Sequence, residues 1–307
     1  MRRLTLQVAA SDAGTRLDLF IATRGGISRG LARRALDAGG VFLDGRRCKR
    51  ASRAVCEGQA VVVNLEEGGR ASALPAPLER CRILYADEHL VAVDKPPFVP
   101  AQPTLTTDRG TLPELVSSLL GAPVTLVHRL DRETSGVTVL ARTRDAAAAL
   151  SEAFRAGSPR KTYLALTARA PSPLQGVLDL PLGPDPLRPG KRRVVAGGEA
   201  AVTRYETLRQ GAGGAALVSC SPETGRTHQI RAHLAHAGAP LLGDPRYGGP
   251  RQVLGTNVPR VMLHARRLTL EHPATKDELA LEAPVPEDFR AVLRALVPAV
   301  TGEPEVP

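Results

Sequence analysis

The chain has no tryptophan, and its five phenylalanines and four tyrosines are few for 307 residues. Proteins that bind single-stranded nucleic acid without sequence preference stack successive bases on exposed rings, so this shortage argues against that class. Lysine is also scarce, with five residues against 36 arginines. Because alanine, glycine and proline are abundant, a general compositional bias could account for part of this arginine content.

Signals for disulfides, metals and membranes are missing as well. The four cysteines show neither a Cys-x-x-Cys pair nor the spacing of a metal site, which favours reduced thiols. The first residues, Met1 to Gln7, lack the apolar segment of a secretory signal, and no run of 18 apolar residues could cross a membrane. We therefore expect a cytoplasmic protein with no metal site and no membrane partner.

The net charge of +10 favours a polyanionic partner. Apolar residues make up 43% of the chain, enough for a core, and the length favours roughly two domains. Between Glu66 and Pro77 the chain is rich in Gly, Pro and small residues, which is typical of a linker. We predict a first domain at residues 1–65, a linker at 66–78, a second domain at 79–297 and a disordered tail at 298–307.

Residues 1–65 have a one-sided charge. Ser28 and Gly39 are typical of the two ends of a helix, and Asp44-Gly45 is a strong hairpin signal. Basic residues cluster on this helix and after the turn: Arg29, Arg33, Arg34, Arg46, Arg47, Lys49, Arg50 and Arg53. Contact with RNA or DNA is favoured over a merely solvated face. The pattern over residues 14–64, with Arg16-Leu17-Asp18, Ser28-Arg29, 38–41 and Gly58-Gln59, resembles the small RNA-binding domain named after ribosomal protein S4.

Residues 79–297 mix strands with helices. The predicted strands are 82–85, 90–93, 137–141, 163–167, 201–205 and 216–220, and the predicted helices are 112–120 and 146–155. Because several strands follow one another without a helix between them, the expected fold class is α+β rather than a doubly wound sheet. The glycine-rich segment 211–214 lies between two strands, so a hairpin turn is favoured over a nucleotide-binding loop.

The nine residues from His128 to Gly136 carry the clearest chemical signal. They read His-Arg-Leu-Asp-Arg-Glu-Thr-Ser-Gly, and an apolar run follows them. Aspartate is favoured in turns, so Asp131 should lie on a loop before a buried strand. Arg129 and Arg132 would keep this carboxylate ionised, which suits attack on an electron-poor carbon of an anionic substrate. A solvated Arg-Asp-Arg cluster is the alternative.

Three further stretches carry polar residues of the same kind: 94–97, 160–166 and 225–234, the last leading to Asp244. Two of the five lysines, Lys95 and Lys161, fall here, which suggests that a compact ammonium is needed. Three histidines of the last stretch and its continuation lie close together: His228, His233 and His236. Their spacing is not the i, i+4 pair of a helical zinc site, so satisfied structural histidines are favoured over a metal site.

Together with 262–265 and Ala283-Pro284, these stretches resemble the RluA-type pseudouridine synthases. The matching segments occur in the family's order from about Ile83 to Phe289, so chance similarity is improbable. The resemblance implies a pseudouridine-synthase-like fold, with a mixed, mainly antiparallel sheet and flanking helices. It also implies isomerisation of uridine in RNA to pseudouridine without metal or cofactor. Many members follow Lys-Pro with Ser-Gly-Leu, where this chain has Pro97-Phe98-Val99, so this loop is expected to take its own path.

The resemblance also implies roles for single residues. Asp131 is similar to the catalytic aspartate, and Arg231 to the arginine that pairs with it. Tyr163 is similar to the tyrosine that stacks on the uracil and is a candidate base. Arg129 resembles the residue that fills the space left by the everted base. The other expected substrate-binding residues of these motifs are Lys161, Arg226 and His228.

The sequence therefore predicts an RNA pseudouridine synthase, acting as a monomer on a defined uridine of structured RNA. Large-subunit ribosomal RNA is the favoured substrate and transfer RNA the main alternative, since RNA shape governs the choice. A non-catalytic RNA-binding or ribosome-assembly protein is the alternative from another class. A methyltransferase is disfavoured because no cofactor loop follows a strand. Asp131 could attack the anomeric carbon or remove a proton to give a glycal, and the sequence leaves both routes open.

Overall fold

The computed structural model describes residues 2–65, 81–103, 105 and 110–298. These residues fall into two compact units, the first holding 2–65 with part of 102–115 and the second holding the remainder. The predicted linker at 66–78 and the predicted tail after Pro298 lie outside the described residues. None of the described helices has the length and apolar character that a membrane crossing needs.

The first unit is an antiparallel sheet with two helices. Its elements are β1 (Arg2–Gln7), α1 (Leu17–Gly25), α2 (Arg29–Ala38), β2 (Val41–Leu43), β3 (Arg46–Arg47) and β4 (Ala60–Leu65), with strand order β1-β4-β2-β3. The Ser28 hydroxyl accepts the Leu31 N–H at 3.2 Å, and Gly39 ends α2 in the left-handed conformation. Asp44 and Gly45 both have positive φ and join β2 to β3. The helix and hairpin signals of the sequence are thus confirmed.

Three arginines converge on one buried carboxylate in this unit. Asp18 on α1 has no exposed surface and accepts hydrogen bonds from three half-exposed side chains: Arg16 (3.1 Å), Arg29 (3.0 Å) and Arg33 (3.1 Å). Burial alone would raise the pKa of Asp18, but these hydrogen bonds outweigh it and hold that pKa well below its usual range. Two arginines predicted to contact RNA, Arg29 and Arg33, therefore also join α2 to α1.

Replacing this carboxylate should destabilise the first unit. We expect Asp18→Asn to lower the free energy of unfolding by roughly 2 kcal/mol, because three cations lose a buried partner. Since the folded pKa is depressed, this contribution is present above the unfolded pKa of about 4 and is lost as the pH falls below it. Hydrogen exchange of α1 and α2 in urea measures both effects. Asp12→Asn removes a more exposed pair with Arg24 and should cost under about 1 kcal/mol, so equal losses would contradict the prediction.

The second unit is built on one mixed sheet. The strands after residue 81 are β5 (Arg82–Ala86), β6 (Leu90–Lys95), β7 (Thr125–Leu126), β8 (Ser135–Ala141), β9 (Arg160–Thr167), β10 (Gln175–Asp179), β11 (Leu182–Pro184), β12 (Arg192–Val194), β13 (Val202–Gln210), β14 (Ala216–Pro222), β15 (Gln252–Val253), β16 (Thr256–Asn257), β17 (Leu263–Glu271) and β18 (Glu278–Glu282). The helices after residue 81 are α3 (Leu112–Leu120), whose first four residues belong to the first unit, α4 (Arg144–Ala156), α5 (Gln229–His236) and α6 (Glu287–Leu296).

Among the described residues this sheet has ten strands, ordered β10-β13-β14-β9-β17-β8-β6-β5, with β18 beside β17 and β7 beside β8. Its strand pairs are antiparallel apart from β8 and β17, which are parallel. The pairs β11-β12 and β15-β16 form separate small sheets. The α+β class with a mixed, mainly antiparallel sheet is therefore confirmed.

The centre of the sheet brings distant motifs together. Strand β8 is buried along its whole length and begins just after the turn that carries Asp131, as predicted. Strand β9 carries Tyr163 and lies between β14 and β17. At Gly136, φ is +114° and a Cβ would overlap the carbonyl of Ala265 on β17. The last glycine of the nine-residue motif is thus required by a close approach of two backbones.

Candidate active site

A cleft of about 430 Å³ opens in the second unit. Its lining includes all seven residues predicted for catalysis or substrate binding in this unit: Arg129, Asp131, Lys161, Tyr163, Arg226, His228 and Arg231. These residues come from the turn before β8, from β9 and from the segment that opens α5. The fold therefore gathers side chains that lie up to about 100 residues apart in the sequence.

Arg231 joins two carboxylates in this cleft. Its Nη1 donates to Asp131 Oδ2 at 2.8 Å, and its Nε and Nη2 donate to the two oxygens of Asp244 at 2.7 and 2.9 Å. The Asp244 side chain is 1% exposed, whereas that of Asp131 is 26% exposed. Burial alone would lower the pKa of Arg231, but the two carboxylates raise it, so the guanidinium stays charged. A fixed cation thus holds Asp131 while part of its carboxylate remains accessible.

The cation that contacts Asp131 is Arg231, to which the family resemblance pointed, and not its sequence neighbour Arg129. Arg129 was predicted to hold this carboxylate ionised, but its Nη2 donates to Thr227 Oγ1 at 3.0 Å, and its side chain is exposed. The backbone carbonyl of Arg132 accepts from the Lys95 ammonium and the Phe98 N–H. The prediction that Arg129 holds this carboxylate is wrong, because neighbouring side chains in a turn point in different directions. Arg231 instead reaches Asp131 from α5.

Tyr163 and Lys161 line the cleft from β9. Burial, and then the negative charge of Asp131, raise the pKa of the Tyr163 phenol well above its usual value. A phenol that stays protonated suits stacking and hydrogen-bond donation better than proton abstraction. Burial also lowers the pKa of Lys161. This strand therefore contributes one partly buried ring and one partly desolvated amine to the cleft.

His228 is held by Tyr247, which had no predicted role. The Tyr247 hydroxyl oxygen accepts the Arg192 N–H at 2.9 Å, so its own proton can point to Nδ1 of His228 at 3.0 Å. The ring proton of a neutral His228 then lies on Nε2, which is 3.8 Å from Asp131 Oδ2. Burial, the largest influence, lowers the pKa of His228 to about 4, so the ring is neutral at pH 7. Oδ2 of Asp131 thus lies near the neutral Nε2–H of His228 as well as the charged guanidinium of Arg231.

The backbone before α5 is fixed by the buried amide of Gln229. Its Oε1 accepts from the Thr224 hydroxyl at 2.7 Å and from the Arg226 N–H at 2.9 Å, and its Nε2 donates to the Val202 carbonyl at 2.8 Å. His228 takes a left-handed conformation at the start of the helix, with φ +58°. The Arg226 side chain lies outside this turn, where it is exposed and donates to the Ala200 carbonyl at 3.0 Å. This amide explains why glutamine stands within the motif.

Two buried cations support the turn that carries Asp131. Arg260 has no exposed surface, pairs with Asp288 through two contacts of 2.6 and 2.9 Å, and donates to the Glu133 carbonyl at 3.1 Å. Lys95 is equally buried, and burial lowers its pKa to about 7. Its acceptors are the carbonyls of Pro96 (3.0 Å), Val99 (3.1 Å) and Arg132 (3.3 Å). The scarcity of lysine pointed to Lys95, but no sequence signal separates Arg260 from the other arginines.

Of the other two histidines in this region, His233 makes structural hydrogen bonds. His233 is buried, with its Nδ1 2.9 Å from the Thr203 hydroxyl and its Nε2 2.9 Å from the Leu180 carbonyl. His236 is exposed at the end of α5. Within the part of the chain that the structure describes, no group of three His, Cys, Asp or Glu side chains could hold a metal ion.

The basic residues predicted to contact RNA in the first unit fall into three groups. Arg29 and Arg33 bind Asp18, as described above. Arg47 donates to the Gly39 carbonyl and lies 4.9 Å over the ring of Phe42. The other members, all exposed, are Arg34, Arg46, Lys49, Arg50 and Arg53. Exposed cations from α2 and from the segment after β2 thus lie where a polyanion can reach them.

Comparison with known proteins places these features in context. Residues 89–236 match the family described as RNA pseudouridylate synthase, and residues 15–61 match the S4 domain. Ribosomal large subunit pseudouridine synthase D of Xanthomonas campestris is 35% identical over 306 residues, covering 94% of this chain and 91% of that protein. The dual-specificity RNA pseudouridine synthase RluA of Escherichia coli is 38% identical over 209 residues, covering 66% and 92%. The structure of human RNA pseudouridylate synthase domain containing 4 has a TM-score of 0.59 at 33% identity, covering 73% and 95%.

Proposed function

Since the chain belongs to the RNA pseudouridine synthase family, we propose that its Asp131, Arg231 and Tyr163 isomerise a defined uridine of large-subunit ribosomal RNA. The observation that carries the assignment of residues is the 2.8 Å contact between Arg231 and Asp131, in a cleft that Tyr163 also lines. The choice of RNA is supported by the relative from Xanthomonas campestris, which matches 94% of the chain and is named for the large ribosomal subunit.

The reaction moves the uracil from one bond to another without net change in composition. The bond between N1 and the sugar C1′ breaks, the base turns, C5 bonds to C1′, and C5 loses a proton while N1 gains one. The accessible oxygen of Asp131 can attack C1′ or remove a sugar proton to give a glycal, and both routes remain open. Arg231 fixes the orientation of this carboxylate. The ring of Tyr163 can stack on the freed uracil and keep water from the intermediate.

The target nucleotide must leave its stack before Asp131 can reach the sugar. Eversion costs a few kcal/mol, which contacts to the flanking RNA must offset. Arg129 is exposed beside the cleft and has the length to enter the space that the base leaves. Lys161 and Arg226 offer cationic groups to the phosphates, and the N–H of His228 offers a donor. These roles complete a binding site for one everted nucleotide.

We further propose that residues 1–65 form an RNA-binding domain and residues 79–297 the catalytic domain of a monomer that works in the cytoplasm. The S4 match at residues 15–61 overlaps the basic residues of α2 and the segment after β2. The residues proposed for chemistry all belong to one chain and share one cleft. A second copy of the protein is therefore not needed to complete the site.

Removing exposed cations from the first unit should weaken RNA binding in a salt-dependent way. For the triple variant Arg34→Ala, Arg46→Ala and Arg50→Ala, we expect the slope of log K against log salt to shrink by about 0.7–0.9 for each phosphate that is no longer neutralised. A matched variant removes the same charge from exposed positions of α4 and α6: Arg144→Ala, Arg290→Ala and Arg294→Ala. Filter binding over a range of salt concentrations compares them. Equal changes in slope would mean that only net charge matters.

Mapping pseudouridines in a strain that lacks the protein tests the choice of RNA. We expect one position of large-subunit ribosomal RNA to lose its pseudouridine and to regain it with the wild-type gene, but not with an Asp131→Asn gene. Loss in transfer RNA instead would replace the proposed substrate. If no position changes in any RNA and the purified protein releases no tritium from RNA labelled at uracil C5, the non-catalytic alternative stands.

A further inference from the structure

Phe98 differs from every other phenylalanine and tyrosine of the chain in its exposure. All nine of these residues lie in the described parts of the structure, and eight are buried or half-buried. Phe98 is 48% exposed, on the loop that follows β6. In a chain with so few rings, the position of the exposed one needs a reason other than core packing.

The backbone of Phe98 is unfavourable for a bulky side chain. Its φ is +70°, in the left-handed region where a residue with a large side chain is an outlier. Such strain persists only where the surroundings dictate the conformation, and it is concentrated at functional sites. The glycine of the Ser-Gly-Leu segment, which many members of the family carry, falls at this position. This chain therefore places a ring at a backbone conformation that suits glycine.

The contacts of the loop hold the Phe98 backbone beside the catalytic turn. The Phe98 N–H donates to the Arg132 carbonyl at 2.7 Å, one residue after Asp131. The buried ammonium of Lys95 binds the carbonyls of Pro96 and Val99, on either side of Phe98, and also the Arg132 carbonyl. The loop is thus joined to the turn through the Lys95 ammonium and through the Phe98 N–H. The Phe98 side chain is exposed to solvent.

We propose that Phe98 is a stacking platform for an unpaired base that neighbours the everted uridine. The inference rests on the proposed function, because it assumes that RNA enters the cleft at Asp131. A nucleobase is the occupant that fits, since an exposed ring offers a flat face on which another ring can stack. The backbone of Phe98 is already held by hydrogen bonds, so only two side-chain torsions lose freedom when a base stacks on the ring. Each base–ring stack contributes measurably to binding, whatever the base.

Replacing the strained residue by glycine separates binding from folding. We expect Phe98→Gly to keep or raise the melting temperature, because strain is relieved, and to lower kcat/KM for the substrate RNA roughly tenfold, mainly through KM. Phe98→Tyr should stay within about twofold of wild type. Leu254 provides a matched control: it has φ +47°, is 68% exposed and lies in the turn between β15 and β16. Leu254→Gly should have the same effect on melting and none on kcat/KM.

A fluorescent base makes the test independent of turnover. With 2-aminopurine placed in turn at each nucleotide beside the target uridine, one position should be quenched on binding to Asp131→Asn protein and not to the same protein carrying Phe98→Gly. Unchanged kcat/KM and unchanged quenching in Phe98→Gly would overturn the inference, as would a parallel loss of melting temperature and activity. An inactive wild type that still quenches this base would instead overturn only the proposed reaction.

Discussion

Asp131→Asn is expected to abolish pseudouridine formation while leaving RNA affinity nearly unchanged. An amide is neither a nucleophile nor a base at neutral pH, so kcat should fall by roughly a thousandfold or more. The fold should survive because the Asn oxygen can still accept from Arg231 Nη1, which now contacts Asp131 at 2.8 Å, and because Arg231 keeps its two hydrogen bonds with buried Asp244.

Tritium release from RNA labelled at uracil C5, together with filter binding, measures both parts of this prediction. The same motif offers a matched control in Glu133, whose Oε2 accepts the Val261 N–H at 3.2 Å. Glu133→Gln makes the same change from carboxylate to amide and keeps an acceptor there, so activity should stay within a few-fold of wild type. Wild-type turnover by the Asp131→Asn protein would remove this carboxylate from the mechanism.

Asp244→Asn should reduce both stability and turnover, although Asp244 does not reach the substrate. A buried guanidinium loses one charged partner, which costs on the order of 3 kcal/mol in free energy of unfolding. The amide also cannot accept both of the parallel hydrogen bonds that now fix Arg231. The orientation of Asp131 is then less well defined, and we expect kcat to fall at least tenfold under conditions where the variant is folded.

A half-buried carboxylate elsewhere in the second unit separates the two effects of this substitution. Asp87 lies in the turn between β5 and β6, at the end of that hairpin away from Lys95. It accepts from the N–H groups of His89 and Leu90 and lies 2.7 Å from Nε2 of His272. Asp87→Asn should lower the free energy of unfolding and leave kcat unchanged. Urea unfolding and single-turnover kinetics on both variants make the comparison, and an unaltered kcat in Asp244→Asn would limit Asp244 to a structural role.

Local signals predicted much of the fold. The cap at Ser28, the turn at Asp44-Gly45 and the apolar run of β8 each depend on residues close in sequence, and the structure has all three. Strand β17, at the centre of the large sheet, was not predicted. Two arginines interrupt its alternation, and its pairing with β9 shifts register between Ala265 and Arg267. Strands of two or three residues, such as β3 and β15, are too short to show a period.

The site was predicted less completely than the fold. Sequence neighbours suggested the wrong cation for Asp131, and only the family resemblance pointed to Arg231, 100 residues away. Asp244 holds Arg231 in place, and Tyr247 holds His228. Arg260 supports the turn before β8. Their importance depends on long-range pairing, which no local pattern of residue types encodes.

The parallel pairing of β8 with β17 has a consequence for biosynthesis. The turn before β8 receives a hydrogen bond from Arg260, and the start of β8 pairs with His264. Both contacts can form only after the chain has been made to more than 120 residues beyond this turn. The first unit, by contrast, draws its sheet from residues 2–65 alone. As chains fold domain by domain from the amino end, a growing polypeptide can complete the unit proposed to hold RNA well before its reaction centre exists.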